Sequence, residues 1–303
     1  MGVGKQLLVV VTGPTASGKS SLAVDIALRL GTEIISADSR QIYKQMNIGT
    51  AVPPPEDLAR VRHHFVQTLE PKDYYSAACF EEDVMKLLPD VFGRCGGSAV
   101  MCGGSMMYVD AVTRGIDELP TVSASVREEA AAIFRAEGSE GVIERLRHLD
   151  PAIMNVIDTR NPRRLIHALE ICMEAGRPYS ELRTGAVKER PFRTVVMAVD
   201  YHREDLFNRI NSRVDAMIGQ GLVEEARKLY GLRSLNALNT VGYKELFDCF
   251  DGLMDLPTAI ERLKKNTRVY AKKQLTWMKK RPEIHLLDPY SSTPIINQAL
   301  ALL

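Results

Sequence analysis

Four short apolar runs, at residues 7–11, 33–37, 99–102 and 194–200, punctuate the first two thirds of the chain. Each is rich in β-branched or small residues, is bounded by turn formers, and is separated from the next by text of helical periodicity. A fifth run, 284–287, stands near the end. These are continuous runs, which predict strands covered on both faces. Strands alternating with helices predict an α/β fold, a parallel sheet with helices on either side. Between about residues 122 and 182 the pattern changes to polar, helical text without strand signals: "SASVREEAAAIFRAEG", "SEGVIERLRHLD", "PRRLIHALEICMEAG". Ser123 and Ser139 precede helix-forming runs as caps, and Gly138 and Gly176 end two of them. The simplest organisation is a helical insertion, 116–189, in an α/β core made of residues 1–115 and 190–303.

The first strand runs into Gly13, Pro14, Thr15, Ala16, Ser17, Gly18, Lys19 and Ser20, "GPTASGKS", which fits G-x-x-x-x-G-K-[ST]. A strand precedes it and the amphipathic "KSSLAVDIALRL" follows it, the setting a phosphate-cradling P-loop requires. Its glycines let successive N–H groups point at phosphate oxygens. The helix N-terminus adds partial positive charge and Lys19 a full one, and Ser20 can reach a phosphate-bound Mg2+. The expected architecture is therefore a P-loop NTPase-like parallel sheet flanked by helices, with an inserted all-helical subdomain.

Composition narrows the setting. At 45% hydrophobic and 25% charged residues the chain reads as an ordinary soluble globular protein, and no apolar run is long enough to span a membrane. The apolar start leads straight into the P-loop, as a buried strand and not a signal peptide would. Five scattered cysteines without a C-x-x-C pair argue against a zinc site or disulfide framework and for a reducing cytoplasm. The net charge of +1 hides two local basic clusters. One is Arg160, Arg163 and Arg164; the other spans 261–281, with nine Lys or Arg against one acid. Such patches on a neutral chain fit a polyanion footprint, or equally the solvated faces of two helices.

Other candidate residues emerge from the sheet. Ligands of open α/β sheets bind beyond the carboxyl ends of strands. Asp38 sits there, after "EIISA", as a Mg2+ ligand, a general base or a cap for the helix beginning near Ser39; spacing leaves all three open. Gly103 and Gly104 after the third strand permit a close backbone approach, or merely a tight turn. Arg209 and Arg213 lie four apart on one face of an amphipathic helix.

Together these pieces resemble one family, the bacterial-type tRNA dimethylallyltransferases (isopentenyl-tRNA transferases). The resemblance covers nearly the whole chain, through "GPTASGKS", "IISADSRQIYKQMNIGTA", "HHFVQTLEP", "YSAACF", "CGGSMMYVDAV", "GIDELP", "NPRRLIHALE", "RVDAMIGQGLVEEA", "NTVGYKEL" and "TRVYAKKQLTWMKK", in order. It implies transfer of a dimethylallyl group from dimethylallyl diphosphate to the exocyclic amine of the adenosine just 3′ of the anticodon. The P-loop would then hold a departing diphosphate and not a nucleoside triphosphate. Asp38 matches the family's general base, and Lys19 and Arg213 its clamp on the leaving group, with Mg2+ held partly by Ser20. The resemblance places contacts with the tRNA anticodon stem-loop at Asp38, Ser39, Arg40 and Gln41, at Gly104 and Ser105, at Arg163, Arg164 and His167 of the insertion, and at Asn239, Thr240, Val241, Gly242, Tyr243 and Lys244. The basic stretches 264–273 and 277–281 would track backbone phosphates.

Four positions depart from the family pattern. Ser20 and Ser105 replace the commoner Thr, His167 an Arg, and Arg40 a small residue. The carboxyl-terminal zinc finger of eukaryotic relatives is not expected, nor an obligate protein partner, and a monomer is the default. Two rival readings are a P-loop kinase of a small metabolite or nucleotide and a non-catalytic RNA-binding module. The first leaves the basic patches without purpose, and the second leaves Asp38 beside a P-loop unexplained.

Overall fold

The computed structural model describes residues 6–303. Six parallel strands form one sheet: β1 Leu7–Thr12, β2 Ile34–Ser36, β3 His63–His64, β4 Ser98–Cys102, β5 Arg193–Val199 and β6 Ile284–Leu287, in the order β3-β2-β4-β1-β5-β6. All five expected strands are present, within about two residues of the expected ends. The sixth, β3, is a two-residue edge strand, too short to leave an apolar run.

Central β1 shows why its text is unbroken. Leu8 and Val10 pack on one side with Phe80, Val84, Leu88 and Val112. Val9 and Val11 pack on the other with Leu22, Val24, Ile26 and Ala27 of the P-loop helix, Lys19–Leu30. With both faces covered, neither set of alternate positions can be polar. A third cluster joins Ile42, Tyr43 and Met46, after β2, to Val214, Leu222, Leu246 and Leu263 from the carboxyl-terminal helices. Among the described residues no helix is long and apolar enough to cross a membrane.

Contacts divide the chain into two compact units, residues 114–188 and the remainder. The smaller is helical, built on Val142, Leu146, Ile153, Leu165, Leu169 and Cys172. Its Ser123 and Asn161 side chains cap helices by accepting from the N–H groups of Val126 and Arg164. Gly138 breaks the stretch Ala124–Leu149 with non-helical dihedrals, and Gly176 closes Pro162–Ala175. In the larger unit, text that reads as one amphipathic helix forms two, Arg203–Gly219 and Leu222–Leu229, because the chain turns at Gly221 with φ +98°.

An ion-pair knot fixes the β3 edge. Glu33, just before β2, accepts from Arg94 Nε at 2.8 Å and Nη2 at 2.7 Å, and lies 2.6 Å from His64 Nε2. The Arg94 guanidinium is the main reason its carboxyl is held down, to about 2 from an ordinary 4.5; partial burial opposes this, and His64 adds to it. A depressed carboxyl stabilises the fold fully above its unfolded value, and the contribution is lost as pH falls from 4.5 toward about 2. Glu33→Gln should therefore lower stability at neutral pH and flatten its fall across that window, as measured by urea midpoints; an unchanged acid slope would assign the slope to other carboxylates.

Candidate active site

The carboxyl ends of β2, β4 and β1 lie side by side, and each releases a loop toward the same place. After β1 the chain turns through residues 13–18 into the helix Lys19–Leu30. Gly18 caps that helix at φ +82°, and Ala16 adopts φ +65°, so the loop curls at both positions. The N–H groups of Ala16, Gly18, Lys19 and Ser20 have no partner among the described residues. The Ser17 N–H is used within the loop, on the Pro14 carbonyl at 3.3 Å. The Ser17 hydroxyl is buried without a partner among the described residues. Such a set of unmatched donors at a helix N-terminus is an anion site.

Lys19 reaches back over the loop and donates to the Pro14 carbonyl at 3.3 Å. Withdrawal from water lowers its pKa, as does the nearby Arg213; Cys102 and Asp38 pull the other way. Arg213, on the helix Arg203–Gly219, is likewise disfavoured as a cation by burial and favoured by Asp38. Lys19, Arg213 and Asp38 thus stand within electrostatic reach of one another, and the two cations outnumber the one carboxylate. The neighbouring Cys102 thiol is pushed up to about 11 by burial.

No helix begins near Ser39, where the chain forms turns, so Asp38 caps a turn and not a helix. Its Oδ1 accepts from the Arg40 N–H at 2.9 Å and the Gln41 N–H at 3.3 Å. Its Oδ2 has no partner among the described residues. Ser39 donates its N–H to Ser105 Oγ at 2.9 Å, tying the loop after β2 to the loop after β4. At that seam a Cβ on Gly103 would sit 2.1 Å from the Ala37 carbonyl oxygen, so the glycine is required by close approach.

The other expected contact residues are placed unequally. Arg40 Nη1 donates to the Asn236 carbonyl at 3.1 Å, bringing residues 38–41 beside the loop that carries Asn239, Thr240 and Val241. Asn239 and Lys244 are exposed, and Thr240 and Val241 half-buried. Gln41 spends its amide internally, on the Thr50 and Ala51 carbonyls and with Ser36. Tyr243 is fully buried. Its hydroxyl donates to Glu225 Oε1 at 2.7 Å, and the same carboxylate accepts the N–H groups of Asn47, Ile48 and Gly49. Buried in this way, the phenol presents no side-chain contact at the surface and shapes the loop from beneath. Gly242, also buried, donates its N–H to Glu245. Arg163, Arg164 and His167 lie on exposed positions of Pro162–Ala175 in the smaller unit, and His167 Nδ1 lies 3.7 Å from Glu170.

The basic helix, Leu256–Lys279, holds residues that the charge pattern concealed. Gln274, 2% exposed, accepts the Thr15 N–H at 3.1 Å and donates to the Gly104 carbonyl at 2.8 Å and the Gly13 carbonyl at 3.4 Å. Tyr270, one turn earlier, reaches the Gly104 carbonyl at 3.4 Å. A signal was available: Gln274 falls on the helix's buried stripe with Leu263, Ala271 and Met278. Some of the basic residues expected to track phosphates are already paired. Lys264 bonds Asp215 and Glu261, and Arg281 bonds Asp110. Lys265, Lys272, Lys273, Lys279 and Lys280 are exposed.

The chain is similar to known proteins over nearly its whole length. The IPP transferase family model matches residues 41–281. A tRNA dimethylallyltransferase of Parabacteroides distasonis is 50% identical over 290 residues, 96% of this chain and 97% of that protein. The full-length tRNA isopentenylpyrophosphate transferase of Bacillus halodurans is similar in structure, with a TM-score of 0.70 at 34% identity, covering 98% of this chain and 94% of that one. A eukaryotic dimethylallyltransferase acting on tRNA gives 0.77 at 26% identity, covering 93% and 74%.

Gln274→Met keeps the volume but strands the Thr15 N–H and two carbonyls. It should lower unfolding free energy by about 1–3 kcal/mol and weaken binding of inorganic diphosphate. Calorimetry reads the second effect, and full-strength diphosphate binding would show that the loop holds its shape without the bridge.

Proposed function

This chain belongs to the IPP transferase family, and on that premise we propose that it transfers a dimethylallyl group from dimethylallyl diphosphate to tRNA. The acceptor is the exocyclic amine of the adenosine just 3′ of the anticodon, and diphosphate leaves. The observation that carries this reading is the unmatched charge at the site: free P-loop amides beside Lys19 and Arg213, two cations whose charge is disfavoured by burial. A P-loop recognises phosphate oxygens and is indifferent to what hangs from them. As the carbon–oxygen bond breaks, negative charge builds on the leaving diphosphate, where these donors are already aimed. The planar fork of Arg213 suits that group.

An adenine amine is a weak nucleophile, because its lone pair is delocalised into the ring. Asp38 takes the proton as the new bond forms, through the oxygen not committed to its own loop. The base must leave the anticodon-loop stack to reach it. Half-buried Arg40 and the exposed Asn239 and Lys244, with Arg163, Arg164 and His167 on the smaller unit, offer polar and cationic contacts to RNA. Mg2+ fits this chemistry. Among the described residues no group of three or more His, Cys, Asp or Glu could hold a metal, but Mg2+ commonly takes one or two protein oxygens and completes its shell with phosphate and water. Ser20 at the helix start would supply the protein oxygen, and the ion would neutralise charge on the leaving group. A tRNA substrate suits an enzyme of the cytoplasm.

Incubation with unmodified tRNA and dimethylallyl diphosphate, followed by nucleoside mass analysis, tests the proposal: the product is a dimethylallylated adenosine, and its absence overturns the reading. Asp38→Asn retains the capping oxygen but not the base. It should slow transfer by about a hundredfold or more with tRNA affinity retained in filter binding; near-normal turnover would reduce Asp38 to a cap.

A further inference from the structure

We infer that Arg209 is a second guanidinium contact for the donor's diphosphate, held at the rim of the P-loop and separate in action from Arg213. The inference rests on the proposed reading only for what the cradle holds. Three observations fix the side chain. Its Nε donates to the Ala16 carbonyl at 2.8 Å, on the one non-glycine residue of the loop with positive φ. Its guanidinium lies over the Tyr201 ring, 4.6 Å from the centroid. Its Nη2 is the one heavy atom within 4 Å of where a Cβ on Gly18 would stand, at 3.7 Å. Gly18 caps the helix whose N-terminus forms the anion site.

These contacts use one N–H and one face of the group. A guanidinium carries five N–H donors, and neither terminal nitrogen of Arg209 has a hydrogen-bond partner among the described residues. The residue is exposed, yet an arginine paired with no acid among the described residues, stacked and anchored to the loop's own backbone, is not simply a solvated charge. Stacking and the Nε bond remove rotamer freedom before any ligand arrives, so less is lost when the terminal N–H groups engage phosphate oxygens. The same Nε bond ties the side chain to the peptide between Ala16 and Ser17.

Arg213 and Arg209 divide the work by depth. Arg213 is half-buried and electrostatically linked to Lys19 and Asp38, where charge changes during reaction. Arg209 stands at the outer rim on the preceding turn of the same helix, so it should contribute equally to ground state and transition state. That is uniform binding, which sets KM and leaves kcat alone.

The test compares wild type, Arg209→Ala and Arg209→Lys, using calorimetric titration with inorganic diphosphate and steady-state prenyl transfer at varied donor. Arg209→Ala should weaken diphosphate binding and raise the donor KM by about tenfold or more, with kcat within about twofold and the melting temperature close to wild type. Arg209→Lys keeps the charge and loses the fork, and should recover part of the affinity. Diphosphate affinity unchanged in Arg209→Ala overturns the inference. So does a loss confined to kcat, or a loss that tracks a lowered melting temperature equally in both variants. Wild type that binds inorganic diphosphate but never prenylates tRNA would overturn the functional reading and leave the Arg209 comparison standing.

Discussion

Gln274 carries a neutral amide from the long basic helix to the point where the loops after β1 and β4 meet, and the site's shape depends on that junction. Its oxygen takes the Thr15 N–H, and its nitrogen donates to the carbonyls of Gly13 and Gly104. Both ends of a fully buried amide are thereby satisfied, the condition for burying one without cost. The junction works only because Gly104 has no side chain: a Cβ there would lie 2.5 Å from Gln274 Nε2. The glycine pair after β4 therefore serves two different closures, Gly103 against Ala37 and Gly104 against Gln274. A helix whose exposed face bears lysines is mechanically continuous with the loop after β1.

A cradle built this way is rigid but electrostatically unfinished. Burial makes the charged forms of Lys19 and Arg213 unfavourable, and one carboxylate offsets them only in part. Unpaired charge at a half-closed site costs stability unless a ligand supplies the counter-charge. Structural ion pairs elsewhere in the molecule look different: Glu33 with Arg94 and His64, and Arg190 with Glu81 at 2.6 Å, are matched within the chain. The contrast between matched knots and an unmatched cradle separates what holds the fold from what awaits substrate.

Much of this was legible in the text of the chain. Strands buried on both faces announce themselves as unbroken apolar runs, and the P-loop is a contiguous motif whose spacing is its geometry. Asp38 and the glycine pair were visible as loop residues at strand ends. What was hidden had a common cause. Tyr243 and Gln41 sit in segments shared with more exposed residues, and only packing decides that the phenol turns inward onto Glu225 and the amide onto its own backbone. Gln274 and Arg209 lie in charged helical text, where a linear reading sees a basic face; their meaning comes from backbone atoms more than a hundred residues away. The two-residue β3 exists because Ile34 and Ile35 offer it an edge, not because its own sequence asks for a strand.

Asp38 shows how a local role and a chemical one coexist in one side chain. A carboxylate has two oxygens and about four lone-pair directions. The turn after β2 uses one oxygen to accept the N–H groups of Arg40 and Gln41, which fixes the side-chain torsions and directs the second oxygen. For the general base proposed above, the capping interaction would be no rival but a means, since a base held by its own backbone needs no reorganisation when a proton must move. The same loop is anchored on its far side by Ser39 to Ser105 and by Arg40 to Asn236, so the strand ends beside the loop after β1 also set where Asp38 stands. On the proposed reading, diphosphate grip and proton removal would be two consequences of one sheet edge.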